Sequence, residues 1–198
     1  AINSLVEMCN RYFFHVREHL VPLNGSGDTS FGWAQIGSYL LVAAVSCLVW
    51  SLFDRKRDHY LWLDYFLKTS IRYYIIIIAM SYGISKIFLL QMPFPNLSQL
   101  ATPLGDFLPM RLSWMFIGYS PKYQFFAGLM EVVVGLLLFN RKTITLGGLV
   151  GVGVFGHVLV LNLFYDIPVK IFSIHLVFYF FLSPSERWKK IDCIFCFQ

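Results

Sequence analysis

Read for hydrophobic and polar positions alone, the chain falls into five apolar stretches separated by polar or proline-broken connections. The first, GWAQIGSYLLVAAVSCLVWSLF, covers residues 32 to 53, about the length that crosses a bilayer as a helix. Asp28, Thr29 and Ser30 stand just before it, and all three are good helix caps. The second, IRYYIIIIAMSYGISKIFLLQM, runs from 71 to 92 and stops at Pro93 and Pro95, which break a helix. The third covers about 125 to 139, with Tyr123 and Gln124 available to lengthen it. The fourth, ITLGGLVGVGVFGHVLVLNLF, runs from 144 to 164, and the fifth starts near Val169 and ends before Pro184, with Trp188 beyond it. Lipid offers no partner to free backbone groups, so each stretch is predicted to be helical.

Two pieces do not fit a span. Residues 1 to 20 mix Leu5, Val6, Phe13 and Val16 with polar side chains, the pattern of an amphipathic surface helix. Residues 93 to 124 are long, apolar and interrupted by prolines, with Trp114, Phe116 and Tyr119. The expectation is an interfacial lid, since loops this long are often functional.

Composition agrees with the pattern. Hydrophobic residues make up 57% of the chain, charged residues 14%, and the mean hydropathy is +0.62. Soluble domains carry about 25% charge, so a surface this poor in charge is not wetted. The predicted fold class is all-α, a polytopic membrane helical bundle of five transmembrane helices. The net charge of +5 is not a nucleic-acid signal, because no basic run is long enough to follow a phosphate backbone. It reports topology instead. Arg55, Lys56, Arg57, Lys68, Arg72, Arg141, Lys142, Arg187, Lys189 and Lys190 fall on one side, against Arg11, Arg17, Arg111, Lys122 and Lys170 on the other. That balance predicts an outer N-terminus and an inner C-terminus. The first residues lack the apolar core and cleavage site of a signal peptide, so none is expected.

The chemistry lies inside the apolar segments. Measured from the segment ends, Lys86, Glu131, His157 and His175 each sit six or seven residues below the outer side, about 9 to 11 Å at 1.5 Å per residue. Intramembrane ionisable groups face the bundle interior and pair with one another. Lys86 with Glu131 is the obvious ion pair, with Asn162, Gln91, Tyr82 and Ser85 as nearby hydrogen-bonding groups. Three readings remain open: a clamp between two helices, a ligand- or proton-handling pocket, or a metal held by two histidines and a carboxylate. Lys86 competes with the metal for that carboxylate.

Other features carry less. YDIPVK at 165 to 170 reads as a capped turn above this layer, with Asp166 as N-cap or dipole partner and Asp166 paired to Lys170. His15 and His19 in HVREH are four apart, a weak metal-ligand spacing on a helix. GSGDTS at 25 to 30 is either a turn plus cap or an anion-cradling loop. Gly147 and Gly151 have the G-x-x-x-G spacing of close helix packing. Cys9 and Cys47 are isolated, and Cys193 and Cys196 form a C-x-x-C with no second pair.

The strings SYGISKIFLLQMPFP, FFAGLMEVVVGLLLFNRKTITLGGLV and YDIPVKIFS resemble the DoxX-like membrane proteins, a group that includes the DoxD-type subunit of thiosulfate:quinone oxidoreductase. Gly128, Glu131 and Gly135, in a G-x-x-E-x-x-x-G pattern, are the most recognisable part. The resemblance covers residues 71 to 184 and implies a four-helix core, often found in complexes linked to redox or quinone chemistry. The implied organisation is an outer-face segment at 1–31, an extra helix at 32–53, the core at 71–184 with its lid at 93–124, and a cytoplasmic tail at 185–198.

The expected function is a subunit of a redox-linked membrane assembly, handling a quinone or thiol, in a bacterial inner membrane. Its site residues would be Lys86, Glu131, His157, His175, Asp166 and Lys170. No haem, flavin, nicotinamide or iron–sulfur motif is present, so no intrinsic cofactor is expected. Quinone or lipid is the expected ligand, and other membrane subunits are the expected partners. The alternative is a non-catalytic scaffold or lipid-binding subunit.

Overall fold

A computed structural model describes residues 2–15, 28–54 and 60–182. All regular structure among them is helical. Contacts divide the chain into two compact units, residues 1–61 and 62–198.

In the first unit, α1 (Ile2–Cys9) runs into one wide π-type turn, Asn10–Phe14. His15, at φ 51°, closes that turn by donating its N–H to Asn10 O at 2.8 Å. The second helix, α2 (Ser30–Phe53), opens on Thr29, whose hydroxyl accepts from Gly32 N at 3.1 Å. Of the predicted cap residues, Thr29 is the one in N-cap position. Val6 is fully buried and packs against Ala34 and Phe31, and the Phe14 ring lies on Gly37, where only the missing Cβ makes room. Of the expected amphipathic helix, the described part runs to Phe14 with its apolar side on α2, and residues 16 to 20 lie outside the described residues. Beyond Ser38, α2 is almost wholly exposed.

In the second unit, α3 (Leu61–Ile87) begins well before the predicted residue 71 and ends before 92. In its first turns Asp64 and Lys68 pair along the helix at 2.6 Å, which supports the helix among otherwise largely apolar side chains such as Leu61, Trp62 and Phe66. Its end comes from backbone geometry rather than from the prolines. Leu89 takes φ 57°, Leu90 N donates to Ser85 O at 2.8 Å and Leu89 N to Lys86 O at 3.0 Å. That is a Schellman closure with leucine where glycine is usual.

The connection at 93–124 is itself helical in pieces: α4 (Leu97–Ala101) with an Asn96–Gln99 capping box, a 3₁₀ turn at Leu104–Asp106, and α5 (Pro109–Gly118). Three longer elements follow. They are α6 (Pro121–Phe139), α7 (Ile144–Phe164, as predicted) and α8 (Lys170–Leu182). An apolar cluster joins Ile75, Ile76 and Ala79 of α3, Val134 and Leu138 of α6, Phe155 of α7, and Leu176 and Phe180 of α8.

Glycines set the spacing of the last three helices. A Cβ on Gly147 would meet Leu137 and Leu138 at 3.0 Å, and one on Gly151 would sit 2.2 Å from the Phe180 ring. The predicted close packing is thus intramolecular at Gly147 and Gly151. By length and composition, three helices could cross a membrane: Ser30–Phe53, Pro121–Phe139 and Ile144–Phe164.

Candidate functional site

On α6, the buried positions are Gln124, Gly128, Glu131, Val134, Gly135 and Leu138. They recur every three or four residues and so form one stripe. The buried stripe of α3 is Ile75, Ile76, Ala79, Gly83 and Lys86. These stripes meet in antiparallel register. Gly135 lies against Met80, Gly128 against Gly83 and Ile87, and Gln124 against Met92. Numbers rise on one helix as they fall on the other.

At the crossing the backbones touch. A Cβ on Gly83 would lie 2.8 Å from Gly128 O and 2.9 Å from Val132 N, and one on Gly128 would lie 2.7 Å from Gly83 O. No other residue permits that approach. It brings the next turn of each helix into reach, and there Lys86 Nζ donates to Glu131 Oε1. Lys86 is 6% exposed and Glu131 1%. Two charges so deeply buried are tolerable only as partners. Lys86 is also in the last turn of α3, where the helix dipole favours a cation.

The pair forms, but not through the depth count that anticipated it. From its observed start at Pro121, α6 carries Glu131 ten residues in, about 15 Å. Lys86 lies one residue from the end of α3 at Ile87. Their common level arises because α3 stops beside the middle of α6. After Phe88 N donates to Ile84 O at 3.1 Å and Leu89 and Leu90 close the helix, the chain continues through Gln91 and Met92 outside any helix.

Gln124 holds that irregular segment. It is fully buried, and in the amide orientation that suits both neighbours its Nε2 donates to Met92 O at 2.7 Å and its Oε1 accepts from Met92 N at 3.2 Å. One side chain thus satisfies both backbone groups of a residue that has left its helix. Gly118 adds a second anchor, since a Cβ there would lie 2.7 Å from Pro93 O. Sequence reading treated Gln124 as a span extension and passed over Gly83. A signal was present, however: Gly83 precedes Lys86 by three residues, as Gly128 precedes Glu131.

One atom of the pair is incompletely bonded. Glu131 Oε2 is buried and has no hydrogen-bond partner among the described residues, a condition shared by Gln91 Oε1, Arg72 Nε and Thr145 Oγ1. Buried polar atoms are rarely left so.

The remaining predicted site residues are not gathered around the pair. His157 is exposed on α7. His175 is half-buried, its Nδ1 lying 2.7 Å from Ile171 O and its ring 6.4 Å from that of Tyr179. Among the described residues, neither histidine has a hydrogen bond or salt bridge to Lys86 or Glu131. Asp166 and Lys170 do pair, at the α7–α8 turn.

Asp166 is not the N-cap of α8, which begins at Lys170. It is instead the left-handed residue, φ 51°, that closes α7, with Ile167 N donating to Asn162 O at 3.0 Å. Ser85 bonds locally to Tyr82 O at 2.8 Å. His15 ends the π-type turn, so it is not on a helix running to residue 19; His19, Cys193 and Cys196 lie outside the described residues, as do residues 25 to 27 of the GSGDTS stretch.

Gly153 and Gly156, unlike Gly147 and Gly151, face open space, with nothing within 4 Å of an added Cβ. They lie on the side of α7 that carries the exposed His157. No family model, curated protein or solved structure matches the chain.

Proposed function

We propose that the chain is an integral membrane subunit of a redox-linked assembly, quinone- or thiol-handling, with a buried polar site at the Lys86–Glu131 pair. In this reading α2, α3, α6, α7 and α8 are five spans, and the last four form a DoxX-like core. The chain lies in a bacterial inner membrane with its N-terminus outside. The Lys86–Glu131 site then faces the outer leaflet, and residues 93–124 act as its lid. No intrinsic cofactor is assigned, so electrons come from a partner subunit or a diffusible quinone.

The observation that supports this most is the incompletely bonded pair: a clamp alone does not need a buried carboxylate oxygen without a hydrogen-bond partner among the described residues. Its test is purification in a mild detergent followed by extraction of quinones and lipids and identification of bound subunits. A copurifying quinone or redox partner, lost in a Lys86→Met, Glu131→Gln double variant that still accumulates, is the expected result. A folded preparation with neither counts against the proposal.

A second reading, a scaffold or lipid-binding subunit of a larger complex, is favoured by the open side of α7. Gly153 and Gly156 face open space there, and an exposed His157 in an apolar helix is poorly suited to lipid. Intact quinone handling by the double variant, together with loss of partner subunits on widening Gly153, would favour this reading.

A further inference from the structure

Glu131 Oε2 has no partner among the described residues and almost no accessible surface. A carboxylate oxygen in that state needs a donor. Burial limits its size. At 1% exposure, between Lys86 and the α3–α6 crossing, the smallest donor that meets this need is a proton. We propose that Glu131 Oε2 is a proton-uptake site, with Lys86 as the fixed charge that holds the carboxyl group through Oε1 while the proton comes and goes. This deepens the proposed function and rests on its reading of the pair as the working site. Uptake forms one O–H bond at Oε2, and release breaks it; no electrons move, and the charge of the pair alternates between zero and plus one.

Few other charges bear on the site. On the elements packed with α6, Arg111 of α5 and His157 of α7 are exposed, as is Lys122 of α6 itself. The other charged groups of α3 are Asp64, Lys68 and Arg72, more than three turns from Lys86, and Tyr82 is exposed. Lys86 is the charge in contact with the carboxylate.

Infrared titration of the full chain, carrying carboxyl-labelled glutamate in nanodiscs of a quinone-free synthetic lipid, tests the proposal. The chain's glutamates are Glu7, Glu18, Glu131 and Glu186, and Glu131→Gln identifies the band. Should that variant not accumulate, Glu131→Asp removes the labelled carboxyl with a smaller change. The expected result is a labelled carboxylic-acid band that grows reversibly as pH falls while the helix amide band is unchanged. In Lys86→Met the band should move to higher frequency, because Oε1 has lost its donor. A Glu131 that stays ionised until the amide band reports unfolding overturns the proposal, as does a band unmoved by Lys86→Met. Because no quinone is present, either outcome is separate from the copurification test of the subunit's role.

Discussion

Remove the charge from Lys86 by Lys86→Met and Glu131, 1% exposed, keeps no hydrogen-bond partner for either oxygen among the described residues. Breaking a buried pair from one side costs about 3–5 kcal/mol, because the surviving charge has no compensation. Glu131→Gln leaves the ammonium of Lys86 in the same position. A factor of ten in an equilibrium is about 1.4 kcal/mol, so each single change should lower the folded-to-unfolded ratio by roughly 10²-fold to several thousand-fold. Against a typical stability of about 5–15 kcal/mol, that is a large share.

The double variant is the informative one. It leaves no buried charge, and methionine fits irregular apolar space, so it should recover most of the loss; with single losses of about 3–5 kcal/mol each, a residual double loss of about 1–2 kcal/mol corresponds to a coupling energy of about 4–9 kcal/mol. Thermal unfolding of the four proteins in one detergent, followed by the helix signal and by membrane accumulation, measures the cycle. Additive losses, with no recovery in the double variant, would refute the pairing as an energetic unit and with it the account of why α3 and α6 cross where they do.

Three further outcomes follow from distances in the α3–α6 and α7 contacts. Gly83→Ala and Gly128→Ala each place a Cβ under 3.0 Å from opposing backbone, which cannot move aside as a side chain can; each should destabilise by about 1–3 kcal/mol and weaken the ion pair, read as faster proteolysis and a lower unfolding temperature. Gln124→Leu keeps the volume but abandons Met92 N and O in a buried position; a loss of about 1–3 kcal/mol is expected, together with faster amide exchange at residues 88 to 92, and unchanged exchange there would remove Gln124 from its anchoring role. Gly153→Ala meets nothing within 4 Å and should stabilise the isolated chain by about 0.5–1 kcal/mol through helix propensity; a destabilised chain would show that α7 is covered on that side.

Much of this protein is legible in its residues alone. Fourteen per cent charge and long apolar runs leave helices as the economical way to satisfy the backbone, and the boundaries of α7 fall where its composition changes. An isolated lysine and an isolated glutamate in such runs had to find each other, because neither is stable alone in an apolar interior, and that too is visible without coordinates. The 3.6-residue period does not say where a helix stops when the stop is a backbone closure rather than a proline. That is why α3 ends at Ile87, five residues before the predicted end at Met92.

Nor does depth along a segment say which way a side chain turns. His157 and Glu131 were placed at one level, yet His157 faces outward and Glu131 inward, a difference decided by which side of α7 packs against α6 and α8. The meeting of Gly83 with Gly128, the anchoring of Met92 by Gln124 and the pairing of Lys86 with Glu131 all depend on the register between helices far apart in sequence. Register is fixed by the sum of many side-chain contacts across an interface, and no local stretch of residues contains it.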